Sequence, residues 1–232
     1  MPTPHFIAAA ESGRWDIYGP IHKGLRLAHG ELLHRLGAAD FVSAAPRQLL
    51  ADLRAHLALA AAHLEHEDTV IHPALAGRAA NATAGLEDDH LHHRARLAML
   101  ESALLATEHA APSDRPALGR SLYLAFSTFV AEDLAHMGRE ETEIWPRLCA
   151  LFADEELAAL EMSIVSSLSP AENIAFMRIM LPAMNRAERS ALLSAMKSSA
   201  PADAYAEVIE RAARPTLAPD DMSHLSELGL AA

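Results

Sequence analysis

One segment occurs twice in this chain and limits what the chain can fold into. His63, Glu67, Thr69, Ile71, Pro73 and Leu75 in the first copy match His136, Glu140, Thr142, Ile144, Pro146 and Leu148 in the second, in one register. A single His with Glu four residues on would mean little, because that pair is a common solvated contact on a helix surface. Recurrence of the whole pattern is different. On a helix, positions i and i+4 share a face, so each copy points an imidazole and a carboxylate the same way. Two such faces brought together offer two ring nitrogens and two carboxylates able to bridge.

Each copy is preceded by one further His, with Arg four residues later: His22 with Arg26, and His90 with Arg94. The ordered set is therefore His22, His63-x-x-x-Glu67, His90 and His136-x-x-x-Glu140, which describes two helical hairpins of one kind facing across a pseudo-twofold axis. With 51% apolar and only 5% aromatic residues, the core is mostly Ala and Leu, suited to closely packed helices. An all-α chain is expected. Neutral imidazole and carboxylate without thiolate suit iron, manganese or zinc, and spacing alone does not choose among them. A ferritin-like site would place Glu before His, as Glu-x-x-His, whereas here His precedes Glu.

Over roughly residues 15–150 this set resembles the hemerythrin-like family, the His/His-Glu cation-binding four-helix domains. The resemblance implies an up-down four-helix bundle at residues 15–152, followed by a helical region at 153–232 whose role it leaves open. It implies two iron ions with a bridging oxo or hydroxo group. His22, His63, His90 and His136 would be terminal ligands, and Glu67 and Glu140 would bridge. His93, three residues after His90, is a candidate fifth nitrogen, and Tyr18 and Glu141 are candidate neighbours of the ligands. The small ligand implied is O2, peroxide or nitric oxide, with a redox partner unspecified. The family's oxygen carriers place a second His four residues after the one on the third helix, where this chain has Arg94. With four His, two bridging carboxylates and the bridging oxygen, about two of roughly twelve coordination positions stay open. That favours turnover of peroxide or nitric oxide over simple carriage, and leaves carrier, enzyme and sensor as the functions to separate.

A net charge of −12 argues against nucleic acid or an anionic membrane as partner. Cys149 stands alone, which excludes an internal disulfide, a thiolate zinc site and a cysteine-held iron–sulfur cluster within one chain. Neither a secretory signal nor a run of about 20 apolar residues is seen, so a cytoplasmic protein is expected.

Taken in order, residues 1–18 are expected to be an irregular arm, Gly19 and Pro20 to start the first helix and Gly37 to end it. The second helix opens at Pro46 and ends near Ile71, ahead of Pro73. A connection at 81–85 precedes a third helix carrying His90, and a linker at 111–116 precedes a fourth, closed by Trp145 and Pro146. Ser169 with Glu172 and Asn185 with Glu188 are capping boxes for later helices, and Met177, Met180 and Met184 are core. His5, His29, His34, His56, His66, His92, His109 and His224 are expected to be solvated or capping. His72 takes the place of Trp145 in the second copy and is expected to pack. Arg26 and Arg94 are candidate partners for carboxylates near the site.

Overall fold

The computed structural model describes residues 13–43, 45–83 and 85–231, so most of the expected N-terminal arm, His5 included, lies outside the described residues. The fold is all-α, a bundle of long helices with further helices beyond a four-helix core. The long helices are α1 (Gly19–Ala38), α2 (Arg47–His66), α4 (Leu86–Glu108) and α5 (Arg115–Arg139), with the short α3 (His72–Arg78) after α2 and α6 (Trp145–Leu151) after α5. Pro20 sits in the first turn of α1 and Pro116 in that of α5, where a missing N–H costs nothing.

The prolines of the repeat do not end their helices. Residues Glu67–Ile71 and Glu140–Ile144 each form a single π-helical turn that runs straight into α3 and α6. The reason lies at Pro73 and Pro146, whose rings would press on the carbonyl four residues back, at Thr69 and Thr142. Widening the turn relieves that contact. The amide of His72 donates to the carbonyl of Glu67, and that of Trp145 to Glu140, five residues back in both cases. Both repeated Glu residues thus open a widened turn, a feature concentrated at functional sites.

Along α2, α4 and α5 the inward face runs apolar, then polar, then apolar. One apolar layer joins Leu32 and Leu36 of α1 to Leu53, Leu57 and Leu64 of α2, Leu97 and Leu100 of α4, and Leu122, Phe126 and Phe129 of α5. The other joins Tyr18, Ile71, Leu75, Leu86, Ile144 and Leu148. Burying each Leu or Phe is worth about 1.5–3 kcal/mol, so these layers fix the helices around whatever polar groups lie between them. Phe41 seats against α5 because residue 119 is Gly: a Cβ there would come within 2.4 Å of the ring.

The chain clusters into two compact units, residues 13–18 with His29–Ile164, and Gly19–Ala28 with Val165–Ala232. After α7 (Asp154–Ser167), the second unit contains α8 (Pro170–Ala183), α9 (Arg186–Ser199), α10 (Ala202–Val208), a π-helical turn (Ile209–Ala213), α11 (Arg214–Thr216) and α12 (Pro219–Glu227). Both expected capping boxes form, Ser169 with Glu172 and Asn185 with Glu188. Met177, Leu181, Leu193, Val208, Ala212 and Leu225 make its core. Within this unit the start of α1 lies so close to α8 that a Cβ on Gly24 would meet the backbone of Ile179 at 3.0 Å, and Lys23 Nζ pairs with Glu188 Oε1 at 2.5 Å. Among the described residues no helix is long and apolar enough to cross a membrane.

Candidate metal centre

The equal spacing of the two copies yields equal geometry. His63 Nε2 lies 3.2 Å from Glu67 Oε1, and His136 Nε2 lies 3.2 Å from Glu140 Oε1. From α4, His90 Nε2 stands 3.1 Å from His136 Nε2, 3.6 Å from Glu67 Oε2 and 3.8 Å from Glu140 Oε1. Ligand atoms within 4.8 Å of one another form two four-residue sets, His22, His63, Glu67 and Glu140, and Glu67, His90, His136 and Glu140. Both carboxylates belong to both sets. All six residues are buried.

Glu67 and Glu140 are 1% and 0% exposed, and buried charge on this scale must be neutralised. The imidazoles respond to it. Burial alone would lower His136, but hydrogen bonding and charge from Glu140, with Glu67, carry it up to about 9. His90 moves up for the same reasons against the same burial. The Tyr18 hydroxyl is pushed well above its usual range by burial and then by the charges of Glu140 and Glu67. The cluster therefore collects positive charge, as protons on imidazole or as cations that displace those protons. Ligand atoms held 2.0–2.2 Å from one ion lie roughly 3 to 4.4 Å apart, close to the separations seen here. Two His/Glu sets sharing both carboxylates fit a bridged pair of metal ions.

No family model, curated protein or solved structure matches the chain.

Around the two sets, Asp68 is the organiser. Its Oδ1 accepts from His90 Nδ1 at 2.8 Å, which leaves Nε2 of that ring facing the cluster, and it pairs with Arg94. Burial would raise the Asp68 carboxyl, but Arg94 and His90 hold it below its usual value. Arg94 is thus a carboxylate partner beside the site. His72 is buried with Nδ1 3.2 Å from Asp68 Oδ1, so Asp68, His72 and His90 form a third group of close ligand atoms. His93 falls outside these groups. Its Nδ1 donates to the Asp89 carbonyl at 2.8 Å, its Nε2 lies 3.6 Å from Asp133 Oδ1, and its ring centroid is 4.8 Å from that of His136. Glu141 is half-buried.

His29 and His56 are not solvated, contrary to expectation. They are 0% and 5% exposed and join Asp133, itself 5% exposed, in a hydrogen-bonded chain. His29 Nε2 donates to Asp133 Oδ2 at 2.7 Å, and His29 Nδ1 meets His56 Nε2 at 2.8 Å. A signal for both was present in the sequence. His29 is seven residues after His22, and His56 seven before His63, two helical turns along the same inward face.

Proposed function

We propose that this chain is a hemerythrin-like protein that holds a bridged di-iron centre and binds or activates a small ligand, O2, peroxide or nitric oxide. The observation that carries this reading is that Glu67 and Glu140 belong to both His/Glu sets, so each carboxylate can span two ions. His22 and His63 would bind one iron, and His90 and His136 the other. Such a centre, when bound, supplies a change of oxidation state and open positions for a small ligand. The protein supplies the rest. Asp68 holds the His90 ring in the tautomer that presents Nε2. Layers containing Phe129 and Leu64 on one side and Ile71 and Ile144 on the other keep water from the buried carboxylates. Arg94 in place of a further imidazole favours consumption of peroxide or nitric oxide over reversible carriage.

A second reading, sensing, has its own observation: the stretch Gly19–Ala28, which bears His22, clusters with the C-terminal helices. In that reading metal or ligand state changes the amide-exchange protection of residues 165–232.

The test is metal content and optical spectrum of protein from iron-supplemented cells, followed by titration with O2, peroxide and nitric oxide. About two irons per chain with oxo-to-iron charge-transfer absorption is the expected result. Repeated peroxide or nitric oxide consumption without iron loss identifies an enzyme, and stoichiometric reversible binding a carrier. Zinc alone, or no metal, overturns the di-iron reading.

A further inference from the structure

The outward face of α4 lacks the charge that an exposed helix face normally carries. Leu91, Ala95, Ala98, Ser102 and Leu105 are all exposed there and recur at alternating steps of four and three residues, the spacing of a coiled-coil seam. Leu91 is 68% exposed and Leu105 45%, and Met99, at the edge of the stripe, 60%. The apolar residues that α4 gives to the core, Leu97, Leu100 and Leu104, lie on the opposite side of the helix. The stripe is a second apolar face, and among the described residues it stays open to solvent.

The face extends onto α5. The ion pairs Arg96–Glu132 and Asp89–Arg139 fix the two helices antiparallel, with Leu105 near the level of Leu124 and Met99 near that of Thr128. Leu124 is 48% exposed, and Thr128 and Ala131 follow it on the outside. Charges along the rim are already paired within the chain: Arg96 with Glu132 on one side, and Arg94 with Asp68 and Arg54 with Glu101 and Glu108 on the other. Covering the face therefore strands no unpaired charge. Two helices side by side over some six turns offer roughly 30 Å by 20 Å, or about 600 Å² per copy and about 1,200 Å² for a pair, which reaches the lower limit of a stable, specific interface.

We propose that α4 and α5 form a docking face for a second copy of this chain, with the two α4 helices packed antiparallel. In that arrangement Leu105 seats over Ala95 of the second copy and Ala98 meets Ser102 beside the twofold axis, so a large side chain fills the space left by a small one on both sides of the axis. A parallel pair would bring together two acidic first turns, each with Glu87, Asp88 and Asp89, whereas the antiparallel pair holds them at opposite ends and sets the helix dipoles head to tail. An uncharged seam is also what two chains of net charge −12 need in order to meet. The repulsion left between them acts at longer range and is screened by salt, so pairing strengthens as salt rises, where a basic partner would be released. The face points away from His90 and His93 of the same helix, and pairing holds whether or not metal is bound.

Sedimentation equilibrium of the full chain as purified reads the pairing. A dimer is expected, tighter at high salt than at low. Ala98→Glu places a carboxylate of each copy near the axis and is expected to raise the dissociation constant at least about 100-fold. Ala98→Lys is expected to do the same, which separates a packed seam from a general response to net charge. Both are good helix formers at an exposed position, and circular dichroism checks that helical content is kept. Val42→Glu, on the exposed connection between α1 and α2, is expected to leave the dimer unchanged. Chloramine oxidation read by mass spectrometry then locates the face: Met99 is expected to react more slowly than Met162, which is 57% exposed on α7, in the wild-type dimer, and as fast as Met162 in Ala98→Glu. A monomer at every concentration overturns the proposal, as does a dimer that salt loosens or one that keeps its affinity in either Ala98 variant. A monomer whose Met99 is nonetheless protected also overturns it, and assigns the face to residues 1–12 of the same chain.

Discussion

The His/Glu sets and the Asp133–His29–His56 chain are both polar and both buried in the same bundle, yet their atoms are arranged in opposite ways. In the sets the atoms converge: Nε2 of His90 and of His136 stand 3.1 Å apart, and the oxygens of Glu67 and Glu140 approach both. In the chain they run in line: His29 Nε2 meets Asp133 Oδ2 at 2.7 Å and His29 Nδ1 meets His56 Nε2 at 2.8 Å, while the buried Nδ1 of His56 has no hydrogen-bond partner among the described residues. A convergent arrangement crowds acceptors around a shared point and is relieved by a cation placed there. A linear one pairs its atoms two by two and leaves no shared point for a cation.

The largest effect tests convergence. Glu67→Gln keeps the side-chain shape but removes one bridging charge, and metal affinity is expected to fall by more than about 100-fold, beyond the usual cost of altering a group that merely supports a ligand. Metal-free, the same variant is expected to gain about 1–2 kcal/mol, because one of two closely placed buried charges is gone. Metal analysis and denaturant unfolding of the metal-free protein check the two signs. Loss of stability on both counts would mean that Glu67 is a structural carboxylate.

The matching change in the linear chain has the opposite sign. Asp133→Asn weakens a charge-assisted hydrogen bond in a dry layer, and about 2–3 kcal/mol of metal-free stability is expected to be lost. Equal responses of Glu67→Gln and Asp133→Asn in the metal-free protein would erase the distinction between the layers.

The convergent layer was more legible in the sequence than the linear one. His63, Glu67, His136 and Glu140 announce themselves through repetition, the four long helices through apolar periodicity, Pro20 and Pro46, and α8 and α9 through their capping boxes. Repetition also hid something, since His29 and His56 have no counterpart in the other copy and looked like surface residues. Their heptad offsets from His22 and His63 carried the information, but only a known inward direction for those two made it readable. Pro73 and Pro146 misled in another way. Each is a helix terminator by local rules, and the π turn that absorbs it depends on a backbone adjustment that residue types do not spell out.

A third effect separates the layers by pH. Burial holds His56 neutral, lowering it from 6.5 to about 3. Between those values the unfolded chain takes a proton there that the folded chain refuses, so stability falls as pH falls through this window and levels off below it. The expected slope from this residue is about 1.4 kcal/mol per pH unit. His56→Gln keeps a hydrogen-bonding group that does not titrate, and the difference between the two unfolding curves across the window should show that slope. Parallel curves would mean that His56 opens to water before the bundle unfolds.

The smallest effect lies at the support of the convergent layer. Asp68→Asn keeps an acceptor for His90 Nδ1–H but removes the charge that Arg94 balances. Because Asp68 acts through His90 and not on the ion, zinc affinity is expected to fall only about tenfold, at the lower end for groups that orient a ligand. Arg94→Gln should act in the other direction. Without its cation, Asp68 draws harder on the His90 proton, makes Nε2 a stronger donor and raises zinc affinity by a few-fold. Opposite shifts from two partners of one ion pair would not arise if the pair merely held the π turn Glu67–Ile71 to α4, since breaking it from either side would then weaken binding alike. Competitive zinc titration of the two variants and their double distinguishes the cases, and a double variant resembling Asp68→Asn alone would place Arg94 upstream of Asp68 in a single line to His90.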